Sequence, residues 1–345
     1  VPPGKTHAGG RAAVSAMLLT ACLLGTGMVV PAGASAPAGG PTPSLDLRTA
    51  PLVDLYFTVR ALAAGDSAAP EALAGAVNAA RSVAAALPGP RGWSLLDGQA
   101  VRCTQASDLD RAFTRLPDTF VASAGDTLRV RPQALVLAKT LEAAEPWFLE
   151  SLWPRHEALL AAADDELEAG LVSREAACFR SVAAALNLGH PVLPLPVYLV
   201  VLAPPPGGET LRGPTGTVSV VGVSGLHGAD LAEVVLHESI HALDVATAQE
   251  PTALQRLRQS LLEGGVPRTD PRYRDLPHAL IFLQAAATVR EVLDPDHRDY
   301  GETHGIYDRM QSAVDLVAPL WRARLEGKLP LEVALRRMVK EATGE

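Results

Sequence analysis

Between residues 49 and 190 the chain is rich in alanine, which favours helix, and its apolar stretches are punctuated by Pro and Gly. Val53 to Ala64 is predicted as a first helix. Glu71 to Leu87 is predicted as a second, Ala-rich one with Pro70 at its first position, and Pro88-Gly89-Pro90 ends it. Further helical stretches run over Ser107 to Leu116 and Arg131 to Leu159, the latter broken at Pro146 and Pro154. Another begins at Ser173, passes through Cys178 and stops at Leu188, before Gly189. This half shows no internal repeat and no visible chemistry, and it predicts a helical layer. Residues 37–48 open with Pro, Gly and Ser and read as a linker.

The pattern changes near Pro191. Pro196 to Leu202 (PVYLVVL) and Thr217 to Ser224 (TVSVVGVS) are rich in β-branched and aliphatic residues and predict strands, with a Pro/Gly loop from Ala203 to Gly208 after the first. The two are expected to pair as neighbours in a small antiparallel sheet. Gly225 to Ala229 then turns the chain into a helix capped by Asp230, with Glu233 completing a capping box. Leu231, Val234, Val235, Ile240 and Leu243 mark that helix as buried, and Pro251 ends it. A further apolar helix is expected from His278 to Leu293, with Pro277 at its first position. The whole predicts an α+β fold, predominantly helical, with the sheet and the capped helix in a region spanning residues 191–345.

The first 36 residues do not read as folded structure. Lys5 and Arg11 precede an apolar run from Ala12 to Val30, and Ala34-Ser35-Ala36 forms a small-x-small cleavage site, the pattern of a secretory signal peptide. Two other readings stay open: Leu19-Thr20-Ala21-Cys22 fits a lipoprotein box that would anchor the chain at Cys22, and the run is nearly long enough to serve as a membrane anchor. No later segment is apolar for long enough to cross a bilayer. The expected location is therefore outside the cell or in its envelope. Removal of the signal leaves Cys103 and Cys178, which an oxidising compartment would join in a disulfide; two buried free thiols are the alternative.

Composition narrows the function classes. Of 345 residues 48% are hydrophobic, enough for a sizeable core and against disorder along most of the chain. The formal net charge is −8 and no basic block appears, which argues against nucleic acid as a partner.

Chemistry concentrates in the capped helix, which holds His237-Glu238-Ser239-Ile240-His241. Residues four apart stand one above the other on a helix face, so two imidazoles there grip one cation. The glutamate beside the first histidine reaches a water on that cation and takes its proton. Chance produces this spacing in roughly one sequence of such composition in a hundred. An apolar helix also gains nothing from two histidines and a glutamate unless something satisfies them. A chance pattern on an exposed helix face, or a metal helix retained by a secreted binding or structural protein, are the competing readings.

On these residues the chain resembles the zincins, zinc metallopeptidases, on their gluzincin-like side. The likeness is carried by Val234 to Asp244. The metzincin extension is absent, since Asp244 and Thr247 stand where it requires Gly and His, and no Asn-Glu-x-x-x-Asp helix follows. The resemblance implies Zn2+ on His237, His241 and a third ligand, a water in the fourth position, and Glu238 as general base in the hydrolysis of a peptide or protein substrate. His278 is the first candidate for the third ligand; Glu291 and Glu263 are the carboxylate alternatives. The chain is also similar to uncharacterised exported bacterial HExxH proteins in His278-Ala279-Leu280-Ile281-Phe282, Tyr300 and Gly305-Ile306-Tyr307, with Ala287 where a glutamate is expected. Zincins supply a Tyr or His to the oxyanion; Tyr300, near His304 and Tyr307, is the candidate. Asp244 is placed either to orient His241 or to face solvent. His190, His227 and His297 lie among Pro, Gly and Asp and are expected to be exposed. A sheet edge beside the motif helix is expected to hold an extended peptide by main-chain pairing.

Overall fold

In a computed structural model, residues 44–344 are described apart from 66–67, 88–89, 122–126, 189–193, 206, 214–215 and 247–250. The predicted signal segment, most of the linker and His190 lie outside the described residues. The first half forms strand β1 (Leu45–Arg48), helices α1 (Pro51–Ala64), α2 (Glu71–Ala86), α3 (Pro90–Ala100) and α4 (Ala106–Thr114), and a short hairpin of β2 (Phe120–Val121) and β3 (Thr127–Leu128). Helices α5 (Arg131–Ser151), α6 (Trp153–Ala169) and α7 (Glu175–Leu186) complete it. Strands β4 (Leu195–Val200), β5 (Gly208–Gly213) and β6 (Gly216–Gly222) follow. The rest is helical: α8 (Gly228–Ala246), α9 (Ala253–Glu263), α10 (Pro271–Val292), the short α11 (Tyr300–Thr303), α12 (Gln311–Leu325) and α13 (Leu331–Thr343). The molecule is α+β and predominantly helical, as the sequence predicts. Among the described residues no helix is long and apolar enough to cross a membrane.

The sheet has the order β1-β4-β6-β5 and is mixed. β1 and β4 run parallel, as do β4 and β6; β5 alone is antiparallel, on β6 at the edge. This corrects the expected antiparallel sheet: the two apolar runs are neighbours, but parallel ones, and β5 lies between them in sequence. Part of the expected linker is strand β1, which pairs with β4 from Leu45↔Leu195 onward and ties the two halves of the chain into one sheet.

Side-chain alternation explains why β4 and β6 read as unbroken apolar runs: the sheet is covered on both faces. Leu195, Val197, Leu199 and Val221 enter one core with α6 to α10, α12 and α13. Val200, Leu211 and Val220 enter the other, built by α1 to α5 around Phe57, Phe113 and Phe148. Asp54 of α1 secures the end of β4: it is fully buried, accepts from the Val201 N–H at 2.6 Å and pairs with His156 of α6 at 2.5 Å.

The two cores settle the cysteines. Cys178 lies in the first core and Cys103 packs against the second, on the other side of the sheet. Both are free thiols, which overturns the expected disulfide. Burial pushes the Cys178 thiol up to about 11, so it stays protonated and inert.

Two helix starts differ from expectation. α8 begins at Gly228, so Asp230 sits inside its first turn and Glu233 forms no capping box. α10 begins at Asp270, whose carboxylate accepts from the Arg272 N–H at 2.8 Å, with Pro271 at the first position. Pro277 therefore lies within that helix, and His278 is its eighth residue, at the start of the third turn rather than of the helix. Leu276, Pro277 and Ala279 to Phe282 are buried, so the helix is packed on both sides of the missing N–H of Pro277.

Candidate metal centre

α8 lies on the sheet face beside β5 and β6, and α10 packs across it. The crossing brings His278 to the His237-x-x-x-His241 face. The His237 and His278 Nε2 atoms are 3.0 Å apart, and those of His237 and His241 are 3.2 Å apart. One ring nitrogen of each of the three lies within 4.8 Å of the others. Phe282, one turn beyond His278, packs on the His237 ring with centroids 3.8 Å apart and the two planes tilted by 38°.

All three imidazoles are held below the ordinary histidine range, with burial as the main cause. His237 and His241 lie well below it; His237 also feels His241 and His278, and His241 feels His278, Arg258 and Arg212. His278 is lowered to about 4, with Asp275 opposing the burial. The three rings are thus neutral at physiological pH, the form that ligates a metal. The donor set fits a cation. Nitrogens about 2.0–2.1 Å from a tetrahedral zinc stand about 3.3 Å from one another. The two short separations here are within a few tenths of an ångström of that.

The Glu238 carboxylate contacts strand β5. Thr210 of β5 donates to its Oε2 at 2.7 Å, and the same hydroxyl lies 2.9 Å from the Glu238 main-chain oxygen. Burial, which the Thr210 hydrogen bond opposes and the charge of Glu209 reinforces, pushes the carboxyl up to about 8. When Glu238 is ionised, Thr210 donates to it. When Glu238 holds a proton, Thr210 can accept and swing its own proton to the main-chain oxygen.

Tyr300 is buried in α11, stacked on His304 with centroids 4.1 Å apart. Its hydroxyl approaches Gly207 so closely that a Cβ there would lie 3.6 Å away, while a Cβ on Gly208 would lie 2.8 Å from Glu238 Oε1. Tyr300 and Glu238 therefore meet the start of β5 at adjacent residues. The Tyr300 hydroxyl is held above its usual range, by burial first and then by Asp230 and Glu233, so it stays a donor.

Neither carboxylate alternative joins the histidines. Glu291 is bonded to Ser181 at 2.6 Å at the surface, and Glu263 ends α9, exposed and bonded to Gln259 at 2.9 Å. Asp244 neither orients His241 nor faces solvent. It is buried and accepts from Thr252 and Arg258, while Gln255 donates to its main-chain oxygen at 2.6 Å. It thereby anchors the capped start of α9.

The sequence reading missed Glu233 and His297. His297 is buried rather than exposed, and its Nε2 donates to Glu233 at 2.6 Å. The same Glu233 oxygen accepts from the Tyr300 N–H at 2.9 Å, which fastens Tyr300 to α8. His227 is exposed as expected, near Glu166. Thr210 was also missed, lying in a stretch with no apolar run to mark it as a strand.

No protein-family model, no curated protein and no solved structure matches this chain.

Proposed function

We propose that the protein is an exported zinc-dependent peptidase whose centre is His237, His241 and His278, with Glu238 as general base. One observation carries the reading: three imidazoles from two helices, His237 buried and His241 and His278 partly so, bring their ring nitrogens within 4.8 Å of one another, with the Glu238 carboxyl beside the first of them in sequence. Such a cluster has no structural use that apolar side chains would not serve better. A bound zinc ion supplies a Lewis acid and makes a water nucleophilic at neutral pH.

The chain's own residues supply the rest. Glu238 takes the proton of the attacking water on a carboxylate oxygen. Its pKa of about 8 suits both this step and the later return of the proton to the leaving amine. A cation among the imidazoles favours its ionised form. The Tyr300 hydroxyl, held protonated by burial, donates to the carbonyl oxygen as charge develops on it. β5 is the edge of the sheet, and its outer N–H and C=O groups align an extended peptide.

The test is Glu238→Gln, which keeps shape but removes the basic carboxylate. Zinc content and affinity are expected to stay within a few-fold of wild type, and cleavage of a mixed synthetic peptide library to fall at least roughly 100-fold. A wild-type protein that holds zinc and cleaves nothing, or a Glu238→Gln variant as fast as wild type, would overturn the proposal.

A further inference from the structure

β5 does more than offer an edge. Its side chains alternate, so Gly208 and Thr210 face α8 while Glu209 faces the N-terminal helices. On the α8 side, the Thr210 hydroxyl is 2.7 Å from Glu238 Oε2 and 3.1 Å from the Ser219 hydroxyl of β6. Thr210 has one proton to give, and an ionised carboxylate is the strongest acceptor within reach. Ser219, 3.4 Å from the Glu238 main-chain oxygen, is placed to serve that carbonyl instead. Gly208 is the floor under the other carboxylate oxygen: a Cβ there would come within 2.8 Å of Oε1 and 3.1 Å of Cγ.

The strand is fixed from behind. Glu209 pairs with Arg60 of α1, which lies over the Trp93 ring at 4.9 Å and donates to the fully buried Asp97 at 2.8 Å. Tyr56 donates to the same Asp97 at 2.8 Å. The N-terminal helical layer thus holds the residue next to Thr210 in place.

We propose that Thr210 is the positioning residue for Glu238: its hydroxyl binds Oε2, and so leaves Oε1, above Gly208, as the oxygen that exchanges protons with the reacting water. The claim rests on the reading of Glu238 as general base. Arg60 and Glu209 fix the strand that carries Thr210.

Thr210→Val and Thr210→Ser separate this role from packing. Valine keeps the β-branched shape and loses the hydroxyl; serine does the reverse. On the peptide cleaved fastest from a mixed synthetic library, Thr210→Ser is expected to keep kcat within about threefold, and Thr210→Val to lose about tenfold or more, with KM and zinc content unchanged in both. A Val variant as active as wild type, or a Ser variant as impaired as the Val one, would overturn the proposal. Glu238→Gln separates the two failures: an active Glu238→Gln variant overturns the base reading itself, whereas an inactive one beside a fully active Thr210→Val variant overturns only the role of Thr210. A crystal structure of zinc-loaded Thr210→Val reads the seat independently of activity: a Glu238 carboxylate displaced from above Gly208 supports it, and an unmoved one refutes it.

Discussion

Removing His278 is the sharpest probe of the metal centre, because this residue alone joins α10 to the motif helix at the three converging nitrogens. Zinc that binds only the native state at about 1,000 times its Kd stabilises it by about 4.1 kcal/mol. Unfolding entropy of about 2.1 cal/mol/K per residue, over the roughly 300 residues between 44 and 344, is about 0.6 kcal/mol/K. The expected rise in Tm is therefore about 6–7 °C, with a further ~2 °C for each tenfold increase in zinc. A complete site is worth roughly 10–16 kcal/mol, so one ligand of four carries about 3 kcal/mol, or a little over 100-fold in affinity. At the same zinc concentration the His278→Ala variant then sits near about seven times its own Kd and gains only about 2 °C. The assay is differential scanning fluorimetry on chelator-treated protein, titrated with zinc, each variant referred to its own metal-free Tm. Elemental analysis should find one zinc per wild-type chain. Glu291→Ala and Glu263→Ala should shift as wild type does, since both side chains are engaged elsewhere at the surface. A His278→Ala protein that keeps the full shift, or a loss of the shift in either glutamate variant, would refute the three-histidine assignment.

Other outcomes follow from the surrounding groups. Tyr300→Phe removes one donor to the developing oxyanion and should lower kcat roughly 100- to 1,000-fold, measured on one peptide with zinc content checked in parallel. Cys103 and Cys178 should each take up one alkyl group when the protein is unfolded without reductant, and mass spectrometry showing them linked would contradict the free thiols. The His297 imidazole is raised above its ordinary value mainly by its hydrogen bond to Glu233, with Asp230 and Asp299 adding to the effect and burial opposing it. Its stabilisation is fully present below the unfolded value of about 6.5 and is lost as pH rises through the folded one. The stability gap between wild type and His297→Gln, read by urea unfolding, should therefore be larger at pH 6 than at pH 9.

The helical layer and the motif helix were legible in the sequence because their signals are local: apolar spacing, flanking Pro and Gly, and imidazoles four residues apart. His278 was legible by residue type and apolar context, although its helix starts earlier, at an Asp270-Pro271 signal that the interior Pro277 obscured. Strand β5 was not legible. Its sequence, GETLRG, has no apolar run, because Gly208 and Thr210 meet a carboxylate on one side and Glu209 meets a guanidinium on the other. The cysteines were misread because their number says nothing about which side of the sheet each one enters.

Helix α8 shows where the missing information lay. It reads as an apolar helix, yet Glu233, His237, Glu238 and Asp244 on it are almost wholly buried, and His241 is partly so. Ionisable groups that deep need partners. The ionisable residues draw partners from different elements: Glu233 from the segment holding His297 and Tyr300, Glu238 from β5, Asp244 from the start of α9, and the two histidines meet His278 of α10. The polar positions of the helix thus dictate which elements must surround it. Their partners lie up to 67 residues away in sequence, beyond the reach of any local pattern. A capping role for Glu233 or an orienting role for Asp244 is the nearest explanation a local reading can offer. The partners observed are others: Glu233 is engaged by His297 and the Tyr300 N–H, and both Asp244 oxygens by Thr252 and Arg258.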